Sequence, residues 1–166
     1  MRKRKRASSV RERFFYKELK MMKQPQYIDI PFEEWRQSFS FFTEVSVRFS
    51  ETDMFGHMNN VTPFIYFEEA RIAYFKQRGI TAQNSETMTV VASQQCDYMR
   101  QVMPYENLRI YVKASAAGNA SVTLHYLGEN ESGLPCFTGS VVMVQVSKKS
   151  GKAVSWTERE KGILLA

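Results

Sequence analysis

Only one stretch of this chain spaces its apolar residues as a long helix does, and nearly everything after it alternates as strands do. Over residues 61–78, Val61, Ile65, Ile72 and Phe75 recur at helical steps, interrupted by Glu68 and Glu69. Pro63 suits the first turn, where its missing N–H is not needed. Asn59, Asn60 and Thr62 are capable caps, and Gly79 is a natural stop. Ahead of this helix, "TEVSVRF" sets Val45, Val47 and Phe49 on one side and polar residues on the other, as a half-buried strand does. "IPFEEWRQSF", earlier still, suits a short helical or irregular segment. Behind the helix, "TMTVVASQQCDYM", "LRIYVKASA", "SVTLHYL" and "CFTGSVVMVQVS" read as strands, the last being the longest. "MPYEN", "GN" at 118–119 and "GENESGLP" read as the breaks between them.

The order β–α–β–β–β–β makes this an α+β chain with one long helix on an antiparallel sheet. One helix covers one face only, which leaves the other face for water or a second subunit. At 166 residues the chain fits a single domain. No window approaches the ~18 apolar residues of a membrane-spanning helix, so no membrane insertion is expected. Cys96 and Cys136 lack metal-type spacing and read as reduced thiols of a cytoplasmic protein rather than as a disulfide.

The net charge of +6 invites a nucleic-acid reading, but its location argues against one. Residues 1–23 hold ten Lys/Arg and two Glu, while the remaining 143 hold thirteen Lys/Arg and fifteen Asp/Glu. The basic balance is thus a tail, and it lacks the apolar core of a secretory signal. Met21 and Met22 offer alternative starts, so the tail reads as a dispensable leader; a disordered arm for nucleic acid or anionic membrane is its other reading.

The chemistry is concentrated in "RFSETDMFGHMNNVTPFIYFEEAR", residues 48–71. Gly56, three residues after Asp53, points to a backbone with φ > 0 or to a close approach. The helix that follows begins with N–H groups lacking partners, a ready site for an oxygen gaining negative charge. A carboxylate just upstream can attack a carbonyl there or deprotonate a water. On these residues alone, Asp53 serves equally as a turn or cap residue, His57 as a loop hydrogen-bonder, and Asn59 and Asn60 as caps. One of Glu68 and Glu69 is expected to face solvent or pair with Arg71 or Arg36. No GxSxG, phosphate loop or metal-ligand pattern is present in the sequence.

The segment "VRFSETDMFGHMNNVTPFIYFEEAR" resembles the signature of hotdog-fold acyl-CoA thioesterases of the 4-hydroxybenzoyl-CoA thioesterase family, with its Asp-x-x-Gly-His-x-Asn-Asn turn before an aromatic helix closing in Glu-Ala-Arg. "DYMRQVMPYENLRIYV" resembles that family's next landmark, and the likeness runs over about residues 43–147. The resemblance implies a hotdog fold, a long helix wrapped by a five- to six-stranded antiparallel sheet. It places a basic, flexible extension at 1–40, the hotdog domain at 41–150 and a C-terminal segment at 151–166. It implies that Asp53 is the nucleophile or general base, that the Asn60 backbone N–H holds the thioester carbonyl, and that Gly56 and His57 shape the loop. Asn59 and Val61 would flank the substrate, and Arg100, Lys113, Lys148 and Lys149 are candidates for the nucleotide phosphates, each also readable as a plain surface charge. Asn107 stands where many relatives carry an acid, and a helix carboxylate, Glu68 or Glu69, serves another branch of the superfamily.

The activity implied is hydrolysis of acyl-CoA to a free acid and CoA, with no metal or other cofactor, coenzyme A being part of the substrate. The implied assembly is a homodimer or homotetramer with sites between subunits. Three rivals stand beside it. An acyl-CoA sensor would need a DNA-binding domain larger than the residues before the first strand. A hotdog hydratase or dehydratase would need a histidine-centred base. An acyl-carrier-protein thioesterase would share the chemistry with another carrier.

Overall fold

A computed structural model describes residues 24–81 and 83–166; the basic tail over 1–23 lies outside the described residues. The elements run α1 (Phe32–Gln37), β1 (Phe42–Ser46), a 3-10 turn (Phe49–Glu51), α2 (Thr62–Gln77), β2 (Thr87–Tyr98), β3 (Asn107–Ala117), β4 (Ser121–Asn130), β5 (Pro135–Ser147) and α3 (Glu158–Leu165). The five strands form one sheet in the order β1-β3-β4-β5-β2, with every neighbouring pair antiparallel. This is the hotdog arrangement. The chain leaves one edge of the sheet at β1 and returns at the other edge in β2, so α2 must carry it across. Five strands at about 4.8 Å spacing make a sheet roughly 20 Å wide. The 16 residues of α2 span about 24 Å at 1.5 Å each, enough for the crossing.

The face that α2 buries is not the one its aliphatic spacing suggests. Tyr66, Phe67, Ala70, Tyr74 and Phe75 lie in the core, whereas Val61, Ile65 and Ile72 are 56%, 48% and 56% exposed. The helix is apolar on both sides, so spacing alone does not select a face, and the bulkier aromatics take the sheet. Phe67 stacks on Tyr126 of β4 with centroids 4.3 Å apart and tilts against Phe137 of β5 at 5.8 Å. Gly139 of β5 makes this approach possible, because a Cβ there would stand 2.4 Å from the Phe67 ring. Gly139→Ala is therefore expected to lower stability by about 1–3 kcal/mol through overpacking, read as a fall in melting temperature. An unchanged melt would mean that α2 can shift off the sheet without loss.

Two strand boundaries differ from the sequence pattern. The first strand ends at Ser46, and Phe49 opens the 3-10 turn 70% exposed, because the chain turns there toward the loop. The β4 strand continues through Gly128 to Asn130, cutting the expected loop at "GENESGLP" to four residues. Gly128 lies in the strand under the Phe137 ring, 2.4 Å from where its Cβ would be, so what looks like a turn glycine is a packing glycine. The C-terminal segment seals the core with Trp156 and Leu164.

The largest difference concerns the outer face of the sheet. Residues 24–40, grouped by the sequence pattern with a flexible extension, are folded onto that face. Ile28 and Trp35 pack with Leu127 of β4 as a second apolar cluster. Tyr27 donates to Thr138 Oγ1 at 2.7 Å, the Trp35 indole N–H donates to His125 Nδ1 at 3.1 Å, and Arg36 pairs with the buried Glu129. Residues Val122 to Glu129 alternate between the two faces, yet from Leu124 on all are buried. The face expected to meet water or a second subunit is, over β4, covered by the chain itself.

Candidate active site

The polar turn between β1 and α2 is held at its base by a residue that sequence reasoning passed over. The Glu51 carboxylate accepts from the Arg48 backbone N–H at 2.8 Å, from the Arg48 guanidinium at 2.7 and 3.0 Å, and from the Tyr66 hydroxyl at 2.7 Å. Burial alone would raise its pKa, but these hydrogen bonds outweigh burial and hold it below the usual range. The Glu51 carbonyl in turn accepts from the Asn59 N–H at 2.8 Å and from Thr62 Oγ1 at 3.3 Å. Glu51 thereby ties the start of the loop to its end and to α2.

Between these anchors the chain closes a tight turn. Asp53 N–H donates to the His57 carbonyl at 2.8 Å, and Gly56 N–H to the Asp53 carbonyl at 3.1 Å. Gly56 has φ +79, the left-handed region expected from its place in the motif. Asp53 Oδ1 accepts from two amides, Phe55 N–H at 2.8 Å and His57 N–H at 3.2 Å. One carboxylate oxygen is thus used to hold the turn, while Oδ2 has no hydrogen-bond partner among the described residues. Asp53, His57, Asn60, Arg100 and Tyr98 line one open cleft of about 600 Å³, with Phe55, Met58 and Val102 as its apolar wall.

Helix α2 starts without the side-chain cap expected of Asn59, Asn60 or Thr62, since Val61 occupies the cap position. Asn59 acts locally: its Oδ1 accepts from Val61 N–H at 3.2 Å, and its carbonyl accepts from Thr62 N–H at 2.9 Å. The exposed Asn60 N–H has no acceptor among the described residues. Its carbonyl accepts from the Tyr98 hydroxyl of β2, a residue 38 positions away. Tyr98 stands in the "DYMRQVMPYENLRIYV" landmark, but its reach to Asn60 was not legible there; its alternation with Gln94 and Cys96 turns it toward the helix side.

The remaining candidates separate. Lys113 sits on the outer face, bonded to Ser38 Oγ and lying over the rings of Trp35 and Phe39 at 5.6 and 4.9 Å. Burial lowers its pKa. A Lys113 directed at substrate phosphates is thus corrected to one holding residues 24–40, because the aromatic cover draws the ammonium in. Lys148 and Lys149 are exposed beyond the Ser147 end of the β2–β5 ladder, whereas Tyr98 and the cleft lie at its Phe137 end. About 3.3 Å per residue sets the two ends on the order of 35 Å apart. Glu68 is exposed and pairs with Arg71 at 3.2 Å, one of the partners expected for it. Among the described residues no three His, Cys, Asp or Glu side chains gather as metal ligands, and no helix is long and apolar enough to cross a membrane.

Known proteins share this architecture. The uncharacterized protein YsmA of Bacillus subtilis (strain 168) is 76% identical over 144 residues, which is 87% of this chain and 98% of that protein. The PA5185 protein from Pseudomonas aeruginosa strain PAO1 superposes with a TM-score of 0.70 at 28% identity, covering 78% of this chain and 92% of its own. A thioesterase from Thermus thermophilus, crystallised with coenzyme A and Zn, does so with a TM-score of 0.67 at 26% identity, covering 77% and 94%. The family model described as the thioesterase-like superfamily matches residues 47–161, from the end of β1 into α3, and the chain belongs to that superfamily.

Proposed function

We propose that this protein hydrolyses acyl-CoA thioesters to free acid and CoA, as a thioesterase of the 4-hydroxybenzoyl-CoA type. The observation that carries the reading is Asp53 itself. Two backbone amides fix its Oδ1, and its second oxygen has no partner among the described residues, in a cleft at the start of α2. The thioester carbonyl would accept from the Asn60 N–H, aided by the positive end of the helix. Asp53 Oδ2 would then attack the carbonyl carbon, to be released by water, or take the proton of an attacking water. Either route expels the CoA thiolate and yields the acid. Gly56 and His57 shape the turn, Asn59 and Val61 border the acyl thioester, and Arg100 offers a cation at the cleft.

The working unit in this reading is a homodimer paired along β2. That strand is a sheet edge twelve residues long, and Val90 and Val91 on it are exposed. The exposed Val61, Ile65 and Ile72 of α2 form an apolar stripe of the kind that marks a protein interface. Antiparallel pairing of two β2 strands would bring the Ser147 end of one copy beside the cleft of the other. Lys148 and Lys149 would then reach a bound nucleotide across the interface, which no single copy allows.

Thiol release from a panel of short, long and aromatic acyl-CoA esters tests the reading, with acyl carrier protein thioesters in parallel. Turnover of at least one CoA ester is expected. A flat trace on every CoA ester would overturn it, and turnover of the carrier-protein esters alone would move the same chemistry to that carrier.

A further inference from the structure

We propose, resting on the reading above, that Tyr98 is a positioning residue: by holding the Asn60 carbonyl, its hydroxyl aims the Asn60 N–H at the substrate oxygen.

An amide can serve as an oxyanion donor only if the peptide planes on either side of its Cα are held. At Asn60 both are. The plane between Asn59 and Asn60 is fixed by its carbonyl, which accepts from Thr62 N–H at 2.9 Å. The plane between Asn60 and Val61 is held from two directions. Its N–H donates to Asn59 Oδ1 at 3.2 Å, and its carbonyl accepts from Tyr98. Two of the three holding groups, Thr62 N–H and Asn59 Oδ1, belong to the same short turn and move with it. Tyr98 belongs to the sheet, so its bond references the turn to the rigid frame.

The side chain is suited to that role. Its ring is 45% exposed, borders the same cleft as Asp53, and sits where β2 pairs with Phe137. Burial, with Cys96 and Asp97 nearby, pushes the hydroxyl pKa up to about 12, so it remains a donor throughout the usable pH range. Met58 N–H also donates to the Val102 carbonyl of the β2–β3 connection, at 2.8 Å. That bond holds the base of the loop but not the residue whose amide faces the substrate. Without the Tyr98 hydroxyl, the Asn60 carbonyl turns to water and the plane beyond it is held by a neighbouring side chain alone. Preorganised donors lose their advantage when they must be reoriented during the reaction.

Tyr98→Phe in the full chain tests this in two independent ways. Backbone amide hydrogen exchange is expected to accelerate at Val61 and Thr62, whose N–H groups are bonded within the turn, while the core strands keep their protection. Unchanged exchange, or acceleration spread through the core, would overturn the positioning role. This arm does not depend on hydrolysis, so it decides the matter even if the wild type proves inactive and the proposed function fails. With the acyl-CoA that the wild type turns over best, kcat is expected to fall about 10- to 100-fold. KM is expected to stay within about twofold and the pH profile of kcat to keep its shape, since the missing group neither binds the acyl chain nor titrates. A raised KM with kcat unchanged would make Tyr98 a substrate contact instead and overturn the proposal.

Discussion

Replacing Asp53 by Asn is expected to lower turnover by about 10²-fold or more with little change in melting temperature. The two effects separate because of how the side chain is bound. Asparagine keeps an oxygen at the Oδ1 position, able to accept from Phe55 N–H at 2.8 Å and from His57 N–H at 3.2 Å as the carboxylate does. The turn therefore survives. What disappears is the charge and the basicity of Oδ2, the atom proposed to attack or to take the proton. Asp53→Ala should behave differently, losing both amide acceptors along with the carboxylate. At about 0.5–1.5 kcal/mol for each net hydrogen bond, it should be measurably less stable than the Asn variant. Steady-state kinetics paired with thermal melts of the two variants would distinguish the roles. Full activity in the Asn variant would leave Asp53 only its place in the turn.

The order of elements was legible because period two and period 3.6 are hard to confuse over ten or more residues. The face of α2 was not, since Val61, Ile65 and Ile72 form as good a stripe as the aromatic residues beside them. Which stripe is buried depends on the glycines opposite, Gly139 above all, and those lie far away in sequence. The Asp53-to-Gly56 turn was legible because its requirement is local: a positive φ and a nearby carboxylate. The support beneath it was not. Glu51 reads as a surface acid until Tyr66, a residue of the next helix, is seen to donate to it. Tyr98 reaches the loop only through the pairing of β2 with β5. Lys113 shows the converse error. A cation on an exposed strand position looked available, but the segment that covers it precedes the whole domain.

That covering segment has its own expected result. Trp35→Ala should destabilise the protein by about 3–5 kcal/mol, a large part of the ~5–15 kcal/mol that holds a typical domain. Trp35 is 1% exposed, packs edge-on against Phe39 with centroids 4.8 Å apart, and supplies the N–H that His125 Nδ1 accepts at 3.1 Å. An accepting Nδ1 cannot carry a proton, so the docked segment requires a neutral imidazole. Burial lowers the His125 pKa to about 4, with the Lys113 charge adding to the effect and Asp29 opposing it. An unfolded histidine titrates near 6.5, so between these values the unfolded chain binds more protons than the folded one. The stability tied to a neutral His125 is fully present above about 6.5 and is lost as the pH falls toward 4. Melting temperature should therefore drop through that window. Carboxylates titrate there too, so the informative quantity is the difference from His125→Gln, whose side-chain oxygen can still accept from Trp35 but which does not titrate. A smaller drop in the Gln variant is expected, and identical curves would mean that His125 is not the titrating group. In Trp35→Ala the imidazole gains access to water, its pKa returns toward the ordinary value, and the same part of the slope should fade. A Trp35→Ala protein as stable as the wild type would show instead that residues 24–40 rest on the sheet without holding it.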